Sequence, residues 1–470
     1  MALSLSHLIS VPASLHFQSN VRHFHSDSTK EKFQFPSIDP KATSKLTLSR
    51  ARASVRASAR ARAASIPGST SDFPEQQLRK RRSVAGVDQD ELLDPHELAD
   101  PDSAFCDIHG VRVHHKVCHH DDGKAESSTF PDSSRGALNI GLPFILLHGF
   151  GASVFSWDRV MRPLARIAGS KVLAFDRPAF GLTARTQVGD AVAALNPYSM
   201  AFAVLATLSF IDMLGAQKTI LMGHSAGCLV AVNAYFEAPE RIAALILVAP
   251  AIVAPFVSRR VAVEKDGQMR KDNPLISIWR PVLKICMLII SVTLRMLGGM
   301  IDMIRLVYAK VLAAVLRSSF GVMLVRMVID KFGILAIRNS WYDASQISDH
   351  VLQGYTKPLR TKGWEMALLE YTLAMLTDSA SKSKPPLSRR LAEISCPVLI
   401  VTGDNDRLVP SWNAERLSMA IPRSTFEVIK NCGHLPQEER VNEFLSVVER
   451  FLQRVFGVSE STNTSNSNSE

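Results

Sequence analysis

Apolar and polar positions along this chain fall into a repeating alternation. The run 143–147 is apolar throughout and ends on His148, the pattern of a strand covered on both faces. A helical pattern follows over 154–167, a strand over 171–175, a helix over 198–214, a strand over 219–222, a helix over 226–237 and a strand over 242–248. After a long interruption the order resumes: strand 396–401, helix 412–420, strand 425–429, helix 438–451. Upstream, 105–117 reads as a hairpin turning at His109-Gly110. Strands alternating with helices predict an α/β fold, with a mostly parallel central sheet and helices on both faces. In such sheets, sites lie just beyond the carboxyl ends of strands.

Length and composition narrow the class. The chain has 470 residues, 46% hydrophobic and 21% charged, enough for a large core without disulfide or metal staples. Six scattered cysteines form no C-x-x-C pair, which argues against a zinc module or a disulfide framework. His114, His115, His119 and His120 lack a ligand set at metal spacing and read as exposed strand-edge and loop residues. The net charge of +10 gathers partly at the N-terminus, where residues 1–60 hold twelve serines, nine Lys/Arg and three acids. That is a transit-peptide composition, and Val55-Arg56-Ala57 suits a processing site, so a chloroplast address is expected. No basic patch with interleaved aromatics supports nucleic-acid binding. The expected organisation is a leader at 1–57, a disordered linker at 58–101, core halves at 102–250 and 391–456, an insertion at 251–390 and a disordered tail at 457–470.

Four predicted loops carry a consistent chemistry. Gly223-His224-Ser225-Ala226-Gly227 stands between a strand and a helix, the setting of a nucleophile elbow. His148-Gly149-Phe150-Gly151 follows the earlier strand, and its glycines allow close backbone approach. The amides of Phe150 and Ala226 are the expected oxyanion donors. Ser225 needs a base. His434, after the last strand, is the best placed of fourteen histidines. Asp406 is the chosen orienting acid, and Asp404 is its rival, able instead to pair with Arg407 or cap the turn.

These motifs resemble the α/β-hydrolase superfamily over 101–250 and 390–455. The loop Phe175-Asp176-Arg177-Pro178-Ala179-Phe180-Gly181 is also similar to one in epoxide hydrolases and haloalkane dehalogenases, but serine at the elbow departs from their aspartate. Lysophosphatidate acyltransferases carry His-x₄-Asp where this chain has Glu439 after His434, which weakens that resemblance. With the leader, stretches 148–157 and 176–183 resemble plant chloroplast hydrolases, including chlorophyll and pheophytin dephytylases and relatives linked to tocopherol supply. The resemblance implies a Ser-His-Asp ester hydrolase with no cofactor or metal, acting on prenyl or lipid-like esters. Two alternatives stay open: a non-catalytic hydrolase-fold receptor for a small apolar ligand, and an acyltransferase using the same triad.

The interruption is unusual. Between 275 and 340 it holds nine Lys/Arg and two acids among strongly apolar residues. Its longest uncharged run near the start, 285–294, has ten residues, short of the roughly 20 a membrane span needs. At about 100° per residue, Arg280, Lys284, Arg295, Asp302, Arg305, Lys310 and Arg317 share one arc of a helix. Gly298-Gly299 is expected to break or bend it into two helices. A basic amphipathic helix suggests peripheral contact with an anionic plastid membrane, envelope or thylakoid. Packing of its apolar face on the hydrolase core is the competing expectation.

Overall fold

The computed structural model describes residues 83–120, 138, 140–186, 195–255, 274–378 and 386–457, with 274–286 described by backbone alone. The expected leader, the linker before Ser83, the tail from 458 and the side chains of Arg280 and Lys284 lie outside the described residues.

A two-strand ladder comes first, β1 (Ser83–Val84) with β2 (Val87–Asp88). The main sheet contains β3 (Ala104–Ile108), β4 (Val111–Cys118), β5 (Phe144–Leu147), β6 (Val172–Phe175), β7 (Thr219–His224), β8 (Ile242–Val248), β9 (Val398–Gly403) and β10 (Ser424–Ile429). Their spatial order is β10-β9-β8-β7-β5-β6-β4-β3. Pairing is parallel from β10 to β6 and antiparallel for β4 on β6 and β3 on β4.

The central strands are buried and almost wholly apolar, Thr219, His224 and Thr402 lying at or near strand ends, because both faces are covered. On one face Leu221, Leu245, Leu247, Val398 and Ile400 pack with residues of the helices Met200–Met213 and Gly227–Glu237. On the other, Ile220, Met222, Ile246, Leu399 and Val401 pack with Val160 and Leu164, and with Phe444 and Phe451 near the C-terminus. The flanking helices are α1 (Asp158–Ala168), α2 (Met200–Met213) and α3 (Gly227–Glu237). The insertion supplies α4 (Pro274–Leu316), α5 (Ser319–Ser340) and α6 (Trp364–Asp378), and the C-terminal part supplies α7 (Ser411–Ala420) and α8 (Val441–Phe456).

Three expectations need correction. The linker at 58–101 is folded from Ser83 onward: the β1–β2 turn docks on α5 through the Ala85 amide and Asp330 Oδ1 at 2.8 Å, and Leu93 bridges Thr361. Leu98 is also buried, an anchor that a polar, acid-rich stretch concealed. His114 and His115 are buried rather than exposed, because β4 is paired on both sides and lies inside the sheet. Finally, α4 runs unbroken for 43 residues through Gly298-Gly299. Two glycines cost about 1 kcal/mol each relative to alanine, and the strong helix formers on either side outweigh that.

Candidate active site

Five loops converge at the carboxyl ends of β5, β6, β7, β9 and β10. At the elbow, β7 ends on His224 and α3 begins at Gly227, so Ser225 and Ala226 make the whole turn. The tightness forces Ser225 into the left-handed region, with φ 51°, a conformation costing about 1–3 kcal/mol and held only by its surroundings. Here the clamp is visible: the Ser225 amide donates to Val248 O at 2.9 Å, and its carbonyl accepts from Cys228 N at 3.1 Å and Ala251 N at 3.2 Å. The flanking glycines are required by close approach. A Cβ on Gly223 would come within 2.7 Å of the Cys228 backbone, and one on Gly227 within 2.0 Å of Leu147 O and 2.8 Å of His148 O. The same contacts press the start of α3 against the His148 loop.

The candidate base His434 and the candidate acid Asp406 meet across two loops. His434 Nδ1 lies 2.7 Å from Asp406 Oδ2, with both side chains buried. The other oxygen of Asp406 accepts from the amides of Leu408 and Val409, each at 2.8 Å. That leaves Oδ2 aimed at the imidazole and fixes the tautomer with its proton on Nδ1. Asp404, the rival, accepts from the Cys432 amide at 3.2 Å and from Asn405 Nδ2 at 2.7 Å. It braces the histidine loop and does not touch the histidine ring. Among the described hydrogen bonds none joins the Ser225 hydroxyl to His434; such links are commonly long until substrate is bound. The two residues are brought together by the backbone. His224 Nε2 donates to His434 O at 2.9 Å, and the two rings stand 4.8 Å apart. Burial, reinforced by His434, holds the His224 imidazole well below its ordinary pKa, so it serves as a neutral donor.

Several supporting residues had no role assigned from the sequence. Glu439 accepts from the amides of Gly433 at 3.0 Å, Leu435 at 3.3 Å and Tyr342 at 2.7 Å, and the His434 amide donates to Ser340 O at 2.7 Å. The end of α5, within the insertion, is thereby tied directly to the His434 loop. Glu439 follows His434 by five positions, which was the available signal, but its work is structural.

The oxyanion loop has its own clamp. No described hydrogen bond engages the amide of Phe150 or of Ala226, so both are available to a substrate oxygen. Arg177 fixes the loop carrying Phe150. Its Nη2 donates to His148 O at 3.0 Å and Gly149 O at 3.3 Å, and its amide donates to His148 Nε2 at 3.0 Å. Burial and the nearby guanidinium hold His148 neutral, with its pKa pulled down to about 4. Beside Arg177, Asp176 accepts from Val154 N at 2.7 Å, Leu182 N at 2.7 Å and His114 Nδ1 at 2.7 Å. Burial opposes its charge, but the adjacent His114 and these donors keep the carboxyl at about 2. Position just after a strand end could have marked both residues. The mouth is aromatic: Phe150 is 54% exposed and packs against Phe180 at 5.4 Å and Tyr371 at 5.9 Å.

A serine on a strained strand-to-helix turn, a histidine after the last strand and an aspartate after the strand before it, on a mostly parallel sheet, define the class of α/β-hydrolases. The chain belongs to the alpha/beta hydrolase family, whose model matches residues 144–447. It is 24% identical over 347 residues to a 2-hydroxy-6-oxononadienedioate/2-hydroxy-6-oxononatrienedioate hydrolase of Pseudomonas putida, covering 71% of this chain and 99% of that protein. It is 23% identical over 316 residues to a 2-hydroxy-6-oxo-6-phenylhexa-2,4-dienoate hydrolase of Comamonas testosteroni, covering 67% and 88%. Among solved structures it is similar to an esterase from Thermogutta terrifontis, with a TM-score of 0.46 and 18% identity over 75% of this chain and 99% of that one.

Proposed function

We propose that this chain is a serine hydrolase of carboxylic esters with apolar, prenyl or lipid-like groups, working in plastids. The observation that carries the reading is the strained Ser225 between two unengaged amides, beside the His434–Asp406 pair. Ser225 Oγ attacks the ester carbonyl while His434 Nε2 takes its proton. The amides of Phe150 and Ala226 hold the oxyanion. Collapse expels the alcohol, which receives the proton from His434, and an acyl-serine remains. Water, activated by the same histidine, then releases the acid and restores Ser225. Asp406 keeps the imidazole in the required tautomer.

The apolar substrate class rests on the mouth. The two bacterial relatives are named for oxo-acid substrates, the first a dicarboxylate, and such anions call for free cationic groups. Arg177, the arginine against the oxyanion loop, is instead engaged by the His148 and Gly149 carbonyls, with the Tyr371 hydroxyl 3.4 Å away. Phe150 presents its ring in its place, backed by the buried rings of Phe180 and Tyr371. The plastid address rests on the Ser-rich, acid-poor composition of residues 1–57.

The decisive experiment is covalent labelling with a fluorophosphonate probe, followed by turnover of esters of increasing chain length. Labelling of Ser225 and a rate rising with chain length are expected. No labelling would turn the reading to a ligand-binding receptor, and ester products formed with added alcohols would turn it to an acyltransferase. A fluorescent reporter fused to residues 1–57 is expected in chloroplasts, and a mitochondrial or cytosolic signal would remove the plastid assignment.

A further inference from the structure

Helix α4 presents a surface that the catalytic reading does not use. Over Met287–Leu316, 30 residues of mean hydropathy 1.7, none of the apolar window is buried. At 1.5 Å per residue this is a rod about 45 Å long. Its large side chains stand in solvent: Met287 is 65% exposed, Leu288 63%, Met296 73% and Ile304 57%. The apolar surface continues past the turn onto α5, where Phe320, Met323 and Met327 are each more than half exposed.

Charge is confined to one side of this rod. Because the helix is continuous, positions keep their phase across Gly298-Gly299. Arg295, Asp302, Arg305 and Lys310 fall within an arc of about 140°. Asp302 pairs with Arg305 at 3.7 Å, leaving the arc net cationic. Opposite it, Ile290, Leu297, Ile304 and Val311 recur every seven residues within about 60° and are all exposed.

Topology excludes a crossing. The chain leaves the sheet after β8 and returns to it at β9, so both ends of the insertion belong to the same body. A spanning α4 would need a second passage through 256–273, and that stretch contains eight charged residues. The charges in α4 also recur along its whole length, with Asp302 near the middle, where a span would bury them.

We propose that α4 lies flat in one leaflet of an anionic bilayer, with its Ile290–Leu297–Ile304–Val311 stripe in the acyl region and Arg295, Arg305 and Lys310 at the phosphate level. Ion pairs join this element to the site. Arg317, just past α4, forks onto Glu370 of α6 at 2.5 and 2.9 Å, and Arg326 of α5 pairs with Glu365 of α6. The next residue on α6, Tyr371, packs on Phe180 and Phe150 at the mouth, while Ser340 at the end of α5 holds the His434 amide. Insertion of α4 therefore sets the aromatic mouth at the lipid surface, and an apolar ester enters from the leaflet; this last step rests on the hydrolase reading.

The test is co-sedimentation of the full chain with phosphatidylcholine vesicles, with and without phosphatidylglycerol. Binding is expected to be stronger with phosphatidylglycerol and weakened by salt. The double variant Leu297→Asp/Ile304→Asp alters only exposed positions. It should lose at least about tenfold in vesicle binding and in turnover of a vesicle-embedded ester, while keeping turnover of a soluble short-chain ester. The triple variant Arg295→Gln/Arg305→Gln/Lys310→Gln should lose about fivefold per residue on anionic vesicles only. Wild-type protein that stays in the supernatant, or a double variant that binds like wild type, overturns the proposal. Dimerisation that the double variant abolishes, without vesicle binding, also overturns it and assigns the stripe to a second copy. Vesicle binding as expected in a chain with no esterase activity leaves the membrane assignment standing and removes the hydrolase reading alone.

Discussion

Among the described residues there are two buried histidine–aspartate pairs, and they are alike in distance. His434 Nδ1 meets Asp406 Oδ2 at 2.7 Å, and His114 Nδ1 meets Asp176 Oδ2 at 2.7 Å. The second pair even has a serine in place, with Ser103 Oγ 2.8 Å from His114 Nε2. By side-chain contacts alone it is the more complete triad. What it lacks is everything around the triad. Ser103 is not among the residues with positive φ, and its hydroxyl also accepts from the Asp100 amide at 3.1 Å. The ring of Phe105 packs on His114 at 5.1 Å. Asp176 is the hub that fixes two loops. At Ser225 the backbone is strained, two amides are unengaged and a helix begins behind the nucleophile. Three residues in line make a hydrogen-bonded brace. A reaction centre also needs a nucleophile held on a strained turn and donors for the charge that develops.

The largest effect should separate the two serines. Ser225→Ala is expected to lower turnover of a short-chain ester by about 10⁶-fold and abolish fluorophosphonate labelling. Ser103→Ala should leave both in place. A probe adduct mapped to Ser103 by mass spectrometry would break the comparison.

The two aspartates should differ in kind. Asp406→Asn favours the wrong histidine tautomer and is expected to cost about 10⁴-fold in kcat with the fold retained. Asp404→Asn should cost far less, and the reverse ranking in steady-state kinetics would move the orienting role to Asp404. Asp176→Asn should appear in thermal denaturation, as a loss of about 3–5 kcal/mol, because a buried hub loses its charge. The stabilisation from Asp176 is present above its ordinary carboxyl value of 3.8 and is lost as pH falls through about 2. A variant as stable as wild type at neutral pH would contradict its structural assignment.

Smaller effects sharpen the surroundings. Arg177→Lys removes the two-carbonyl fork behind the oxyanion loop, and kcat should fall by about 10- to 100-fold with KM for a short ester little changed, since one lost oxyanion donor costs about 10²–10³. Burial pushes the Glu438 carboxyl up to about 8 in the folded chain, against an ordinary 4.5. Between those values the unfolded chain binds fewer protons, so stability falls as pH rises, by at most about 1.4 kcal/mol per pH unit. Below the window both states are protonated, and above it both are ionised. Glu438→Gln, which retains an acceptor for the Tyr355 hydroxyl, should flatten the decline in Tm across that window.

Much of the fold and site is legible in the order of residues. Strands with nothing but apolar residues announce a sheet covered on both sides. Local glycine spacing around Ser225 announces the elbow, because only that tight turn demands small residues on both flanks. Asp406 and His434 are legible as residues following predicted strands. Asp176 and Arg177 stand in a recognisable loop, yet their partners His114, Val154 and His148 are distant in sequence, so no local pattern discloses the contacts. The choice of Asp406 over Asp404 needs the folded chain too. Both follow the same strand, and only the folded loops show which carboxylate meets the imidazole and which braces Cys432.

The N-terminal part and the insertion mark the boundary most clearly. A polar stretch from Ser83 reads as linker because its anchors, Asp330 and Thr361, lie far along the chain. The paired glycines of α4 read as a break because local propensity is all that neighbouring residues offer, while helix continuity is a sum over 43 residues. By itself the sequence determined the order of strands and helices, the residue types at the turns and the one-sided charge of α4, since these depend on neighbours a few positions away. Tertiary structure alone decided which His–Asp pair stands beside a strained serine, and that the apolar stripe of α4 finds no cover on the core, since both depend on what long-range packing leaves exposed.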